Sequence, residues 1–375
     1  MERRIVASWL GLGLAAIVSL SGCKKQSPPA VTPAPTGPAA STPAAPAPGP
    51  APAPMVQTPP LGVENPPMRT PSTVRIATYN LLNLFDDKDD PNLSGSIEDL
   101  DSAKPESERR ALASAIEKLD ADIIAVQEIE STEALVEFRD QYLEGLGYEF
   151  AMSIGPGDDR GIEQGILSRF PVIDIQSWDE MDLGGVHPEL FNGRPNRYAG
   201  EPLKTRRSPL AVTVMVPEET TGGAPYLLTM FVVHHKSGRG NEYWREAEAR
   251  AFMQLIDEFA SQSEGRNIVL LGDFNATLAD ESVKMYTDSG LRCVVEHFAA
   301  PGMDDPNARI SHESGRAIDY ILVNDNLAAE VIPGTAFILS TPLRPVGSDW
   351  RTTPTPPGYA SDHLPVAVDI VPRDG

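Results

Sequence analysis

Two cysteines in 375 residues exclude a disulfide-stapled scaffold. Cys293 lies in Leu291-Arg292-Cys293-Val294-Val295, a stretch that reads as a strand and makes its thiol a buried, inert one. Positive charge is scarce too: 31 Lys and Arg stand against 53 Asp and Glu, for a formal net charge of −22. Five of the basic residues (Arg3, Arg4, Lys24, Lys25, Arg69) but only two of the acidic ones (Glu2, Glu64) precede Thr73, so the remainder is more acidic still. A protein that grips polyanions by diffuse electrostatics is basic. This one must hold any phosphate substrate through local cations and a metal. No internal repeat is visible, and the N-terminal apolar core, Ile5 to Leu20, falls short of the ~20 residues that span a bilayer.

That core follows Arg3 and Arg4 and precedes Leu20-Ser21-Gly22-Cys23, the layout of a secretion signal. Its last four residues resemble a bacterial lipobox. The resemblance implies cleavage before Cys23, lipidation of that cysteine, and the membrane as a partner. Lys24 stands where lipoproteins retained at the inner membrane commonly carry aspartate, which implies the outer membrane, facing the periplasm or the surface. Residues 24–72 are dominated by Pro, Ala, Thr and Gly, too little apolar surface to offset their ordering entropy, and are expected to form an extended tether. Residues 73–375 are the expected folded domain, a monomer.

Within that domain helix and strand patterns alternate. Val74-Arg75-Ile76-Ala77-Thr78-Tyr79-Asn80 alternates as a strand that ends on a carboxamide. Residues 105–119 have helical spacing at Leu112, Ala115, Ile116 and Leu119, and 121–128 form a strand ending on the Glu128 carboxylate. A helix over 131–143 and a strand over 148–152 follow, then 165–168 and 171–175 as a hairpin-like strand pair. The acidic run Asp86-Asp87-Lys88-Asp89-Asp90 is a solvated loop, because it lacks the glycine and closing glutamate of a calcium loop. Residues 177–207, rich in Gly, Pro and Asn, outrun ordinary structural loops and end in Lys204-Thr205-Arg206-Arg207, so they read as a substrate-facing rim.

Strands over 209–216 and 226–233 lead into His234-His235-Lys236-Ser237, and a helix over 241–261 carries Trp244, Ala247, Ala251, Leu255 and Phe259 along one face. The buried strand 267–271 runs into Gly272-Asp273-Phe274-Asn275, a turn at the kind of strand edge where α/β proteins place chemistry. A strand over 317–323 contains Asp319, and Ser361-Asp362-His363 precedes the closing strand 366–371. These elements imply an α/β fold of two mixed β-sheets packed face to face with helices outside.

Polar residues thus recur at strand ends: Asn80, Glu128, His234, Asp273 with Asn275, Asp319, and Asp362 with His363. Each has a plain explanation alone: an Asx turn at Asp273, a solvated strand end at Glu128, a satisfied core histidine at His363. Together they suit one chemistry. Magnesium takes one or two carboxylates plus waters and phosphate oxygens, and a histidine braced by a carboxylate keeps its tautomer.

Ala77-Thr78-Tyr79-Asn80, Val126-Gln127-Glu128, Gly272-Asp273-Phe274-Asn275, Ile318-Asp319-Tyr320 and Ser361-Asp362-His363-Leu364-Pro365, in that order, resemble the endonuclease/exonuclease/phosphatase superfamily, the deoxyribonuclease I-like fold, from Thr73 to Val371. Asn83-Leu84-Phe85, Glu128-Ile129-Glu130 and His234-His235-Lys236-Ser237 are similar to a branch of secreted bacterial nucleases, although that branch has Asn-His-Phe-Lys-Ser where this chain has Val-His-His-Lys-Ser. The resemblance implies Glu128 as the principal ligand of Mg²⁺ (with Mn²⁺ or Ca²⁺ as alternatives), Asn80 as its neighbour and Asp362 near the metal. It implies Asp273 and Asn275 on the attacking water and phosphate, His234 donating to a phosphate oxygen, and His363 held by Asp319, either Asp273 or His363 taking the water's proton.

Lys204, Arg206, Arg207 and Lys236 are the cations expected on the substrate phosphate. His235, where the family has an apolar residue, is expected to point away from the site. The substrate expected first is nucleic acid; a phospholipid headgroup or a small phosphate ester is the alternative, and a non-catalytic surface-binding lipoprotein is a third.

Overall fold

A parallel strand pair cannot close through a tight turn and needs a crossover, usually a helix. The chain makes two such units. Helix Glu106–Leu119 returns strand Val74–Leu84 to its parallel neighbour Ile123–Ile129, and helix Glu242–Gln262 returns Tyr226–His234 to Asn267–Asp273. Antiparallel strands extend each pair into a sheet. One runs in the order 337–338, 366–370, 74–84, 123–129, 163–168, 150–153, and the other 2–6, 172–178, 210–216, 226–234, 267–273, 319–323, 292–293. The two mixed sheets pack on each other, and Ile76, Val126 and Ile166 of one share a fully buried core with Val232, Leu271 and Ile321 of the other.

This computed structural model describes residues 2–6, 60–89, 103–154, 158 and 160–373. Cys23, with most of the expected leader and tether, lies outside the described residues. Glu2–Val6 pairs antiparallel with the edge strand Val172–Trp178. Among the described residues no helix is long and apolar enough to cross a membrane.

Local chemistry accounts for the helix ends. Ser131 Oγ accepts the Ala134 N–H at 3.1 Å to start Thr132–Tyr142, and Asp120 in a left-handed conformation (φ 47°) stops the first helix. That helix buries Leu112, Ala115, Ile116 and Leu119, the four its spacing selects.

Several expectations change. Strands 163–168 and 172–178 are not a hairpin: the first pairs with 123–129 and 150–153, the second with 210–216, and the short link carries the chain from one sheet to the other. Of residues 291–295 only Arg292–Cys293 is strand; helix Val294–His297 follows and buries Val294 and Val295. The Cys293 thiol is buried as expected, and burial pushes it up to about 12. The folded part begins before Thr73. Val63 donates to Ile338 O and accepts from Ser340 N–H, both at 2.8 Å, Arg69 pairs with Asp122, and Leu61 and Val63 pack against the core, so residues 60–72, expected in the tether, belong to the folded part. The 177–207 segment carries short strand pairs (182–186 with 202–204, 190–191 with 194–195) and packs Leu183 and Leu203 against Trp244 and Ala247.

Candidate active site

Strand register alone brings three side chains level. His234 lies opposite Asp273, and Asp273 opposite Asp319, on three adjacent strands. Gly272 permits the approach: at φ +144° a Cβ would lie 1.9 Å from Val233 O. The other sheet's parallel pair delivers Asn80 and Glu128. Both its strands break register there, and Glu128 sits at φ 60°, a strained position for a residue with a side chain. Asn275 is left-handed as well, φ 49°.

Asp273 is the hub. Its Oδ1 accepts the Asn275 N–H at 2.8 Å, and its Oδ2 accepts from Asn275 Nδ2 at 3.0 Å and Asn80 Nδ2 at 3.3 Å. His234 Nε2 stands 3.3 Å from the same Oδ2 and 3.6 Å from Glu128 Oε1, while His363 Nε2 is 3.8 Å from Asp273 Oδ2 and 3.8 Å from Asp362 Oδ1. The other face of His363 is fixed, with Nδ1 3.0 Å from both Asp319 oxygens. Ser311 Oγ donates to Asp319 at 2.7 Å, and Ser361 Oγ donates to Asn80 O at 2.7 Å while accepting the His363 N–H. Asn80, Glu128, His234, Asp273, Asn275, Asp319, Asp362 and His363 therefore form one continuous cluster across both sheets.

Burial decides much of its electrostatics. It pushes the Asp273 carboxyl up to about 6 against the pull of His363. It drives His234 well below the usual imidazole range, helped by Arg207. Burial works the same way on His363 but is outweighed by Asp319, Asp362 and Asp273, which hold it well above that range. Asp362, raised by burial, is brought down to about 2 by His363 and His312. The cluster thus holds a neutral imidazole on one side and an imidazolium on the other.

The donors fit a hard divalent cation. Asp362 Oδ1 is buried without a hydrogen-bond partner; the nearest positive group, His363 Nε2, stands 3.8 Å away, beyond hydrogen-bond reach, so the oxygen keeps lone pairs open to a cation. Glu128, Asp362 and Asn80 offer oxygen donors of the type such an ion prefers. Asp273, Asp319 and His363 also bring ligand atoms within 4.8 Å of one another, but His363 and Asp319 are already engaged with each other.

The rim cations differ from expectation. Lys204 is not free for phosphate: its ammonium pairs with exposed Glu180 at 2.9 Å. Arg207 is buried against Asp158 at 3.3 Å and donates to His235 O at 2.8 Å, so it braces the wall. Lys236 remains the better candidate, over the Trp244 ring at 5.7 Å, with Arg206 near enough to disfavour its charge. His235 points away from the cluster as expected, its Nδ1 3.0 Å from Glu248 and its Nε2 3.1 Å from the Tyr286 hydroxyl. The sequence did not reveal Lys104, Ser311 or His312. Lys104 is buried, donates to Leu82 O at 3.0 Å and feels the charges of Asp362 and Glu128. A cavity of about 1420 Å³ beside Trp178, Phe259 and Arg266 includes none of the cluster, so chemistry rather than concavity marks the site.

Residues 77–363, which hold every member of this cluster, match the model of the Endonuclease/Exonuclease/phosphatase family. The chain belongs to that family. No curated protein matches the chain. Among solved structures it is similar to the human Nocturnin catalytic domain with bound sulfate anion, at 17% identity over 80% of this chain and 95% of that one, TM-score 0.50. The mannosyl-6-phosphatase of Bacteroides thetaiotaomicron VPI-5482 gives 18% identity over 79% and 98%, TM-score 0.48, and truncated Caenorhabditis elegans TDP2 gives 14% over 80% and 97%, TM-score 0.47. At 17% identity the likeness to the Nocturnin domain is one of fold. The endonuclease/exonuclease/phosphatase family comprises phosphoester hydrolases, nucleases, phosphatases and phosphodiesterases among them, that generally depend on a divalent metal.

Proposed function

We propose that this protein is a Mg²⁺-dependent phosphodiester hydrolase, first of all a nuclease, carried on a lipid-anchored tether in the cell envelope. The observation that carries this reading is one cluster drawn from positions 80 to 363, in which two carboxamides and two histidines meet the Asp273 carboxylate and the histidines in turn meet three further carboxylates, Glu128, Asp319 and Asp362. Glu128, Asp362 and Asn80 would hold the cation, which when bound neutralises charge on the phosphoryl group. His234 and Asn275 donate to phosphate oxygens. His363 already carries its proton, which leaves Asp273 to take the proton of the attacking water, and a carboxyl near 6 suits that task close to neutral pH. Anchoring and outer-membrane placement rest on the sequence pattern ending at Cys23.

A second reading, a small phosphate ester or phospholipid headgroup as substrate, is favoured by a specific observation: the net charge is −22, and Lys204 and Arg207 already have carboxylate partners. Purified protein is assayed on plasmid DNA, RNA, sphingomyelin and inositol phosphates with Mg²⁺ or a chelator. Chelator-sensitive turnover is expected, and Glu128→Ala, Asp273→Ala and His363→Ala should each lose about 10²-fold or more. Undiminished turnover by all three variants ends the hydrolytic assignment of this cluster, and the substrate turned over fastest decides between the two readings.

A further inference from the structure

Segment 311–313 touches both carboxylates that flank His363. Ser311 Oγ donates to Asp319, His312 Nε2 stands 3.4 Å from Asp362 Oδ2, and the rings of His312 and His363 meet edge to face with centroids 4.5 Å apart. The backbone fixes the segment against the SDH turn: the Leu364 N–H donates to Ser311 O at 2.7 Å and the Glu313 N–H to Asp362 O at 2.8 Å. Unlike its buried neighbour, the His312 side chain is 19% exposed, so a ligand can reach it.

By distance alone His312, Asp362 and His363 make a metal-binding group, with ligand atoms all within 4.8 Å of one another. One hydrogen bond excludes His312 from it. The Ser314 N–H donates to His312 Nδ1 at 2.9 Å, and the Ser314 hydroxyl, 2.7 Å from the same nitrogen, can donate there as well. An amide can only donate, so Nδ1 presents its lone pair and the ring hydrogen sits on Nε2. Ligation through Nε2 would need the opposite tautomer and would set N–H against N–H at Nδ1.

We propose that His312 is a further substrate-contacting residue, which donates its Nε2 hydrogen to an oxygen of the bound phosphoester beside Asp362 and does not ligate the metal. The inference rests on the phosphoester reading above. Asp362 is a poor sole acceptor for this hydrogen, since 3.4 Å is long for a charge-assisted bond. A phosphate oxygen held beside a cation at Asp362 supplies a closer, charged acceptor. Neither periodicity nor the family's motifs point to His312; only the Ser314 amide and the placement of 311–313 do.

The test uses the full-length protein, bis(p-nitrophenyl) phosphate as substrate and Mg²⁺ alone as the metal probe, titrated calorimetrically. His312→Ala should lower kcat/KM roughly 10- to 100-fold, the worth of a hydrogen bond to a charged group, while Mg²⁺ affinity changes by less than about twofold and Tm by little. His312→Gln, which keeps an N–H donor, should recover part of the loss. Unchanged kcat/KM in His312→Ala overturns the proposal, as does a tenfold loss of Mg²⁺ affinity, a large fall in Tm in both variants, or a glutamine variant no better than alanine. If the wild type turns over no phosphoester at any Mg²⁺ concentration, the hydrolase reading falls and takes this proposal with it.

Discussion

Lys236 sits where burial and function pull in opposite directions. Burial brings its ammonium down to about 8, so the charge is present at neutral pH and is lost as pH climbs through that value. If this cation meets the substrate phosphate, KM for a diester rises above pH 8 while kcat changes less, and Lys236→Met flattens the rise. A wild-type KM that stays level between pH 7 and 9.5 would remove Lys236 from substrate binding. Asp319 makes a complementary case. It is buried, accepts from Ser311 and holds His363 in its charged form. Asp319→Asn keeps the shape but removes the charge, so the His363 imidazolium should titrate at lower pH by NMR and kcat should fall about 10²- to 10⁴-fold. Normal kcat with a shifted titration would show that the imidazolium is not needed.

At the scale of elements, the two parallel strand pairs matter because each ends where the chemistry begins. Tyr226–His234 and Asn267–Asp273 can lie in register through their last residues only because Gly272 lacks a side chain. Gly272→Ala puts a methyl against the Val233 backbone, which cannot yield as a flexible side chain would. The substitution should cost ~4 kcal/mol or more, or prevent folding, and urea unfolding or soluble yield measures it. A variant as stable as the wild type would mean the two strands can separate without penalty. The glycine motif was legible as a sharp turn. That the turn serves strand proximity as well appears only once 226–234 is known to be the neighbour of 267–273.

Taken whole, the molecule gathers carboxylates where its two sheets meet, on a chain of net charge −22, an arrangement that opposes its own folding until a cation arrives. Mg²⁺ should therefore raise Tm, by the equivalent of ~2.7 kcal/mol at a hundredfold excess over Kd, and a chelator should reverse the gain. In Glu128→Ala the Mg²⁺-dependent rise should shrink or vanish. An equal rise in that variant would locate the ion elsewhere.

The sequence by itself determined which residues stand at strand ends. A polar residue that interrupts an apolar run near a strand's edge stands out, so Glu128, Asp273 and His363 were readable one strand at a time, and so was Asn80, although its strand runs on to Leu84. It also determined the helices that cross over between parallel strands, through their 3.6-residue spacing. Only the tertiary structure decided which strands are neighbours: 163–168 and 172–178 look like a hairpin from spacing, yet each finds its hydrogen bonds in a different sheet. It alone decided which cations are free, because pairs such as Lys204 with Glu180 and Arg207 with Asp158 join residues 24 and 49 positions apart. His312 belongs to this second class. Its role depends on a backbone amide two residues away and on a carboxylate 50 positions further on, and a side chain's chemistry is set by what surrounds it in space rather than by what adjoins it along the chain.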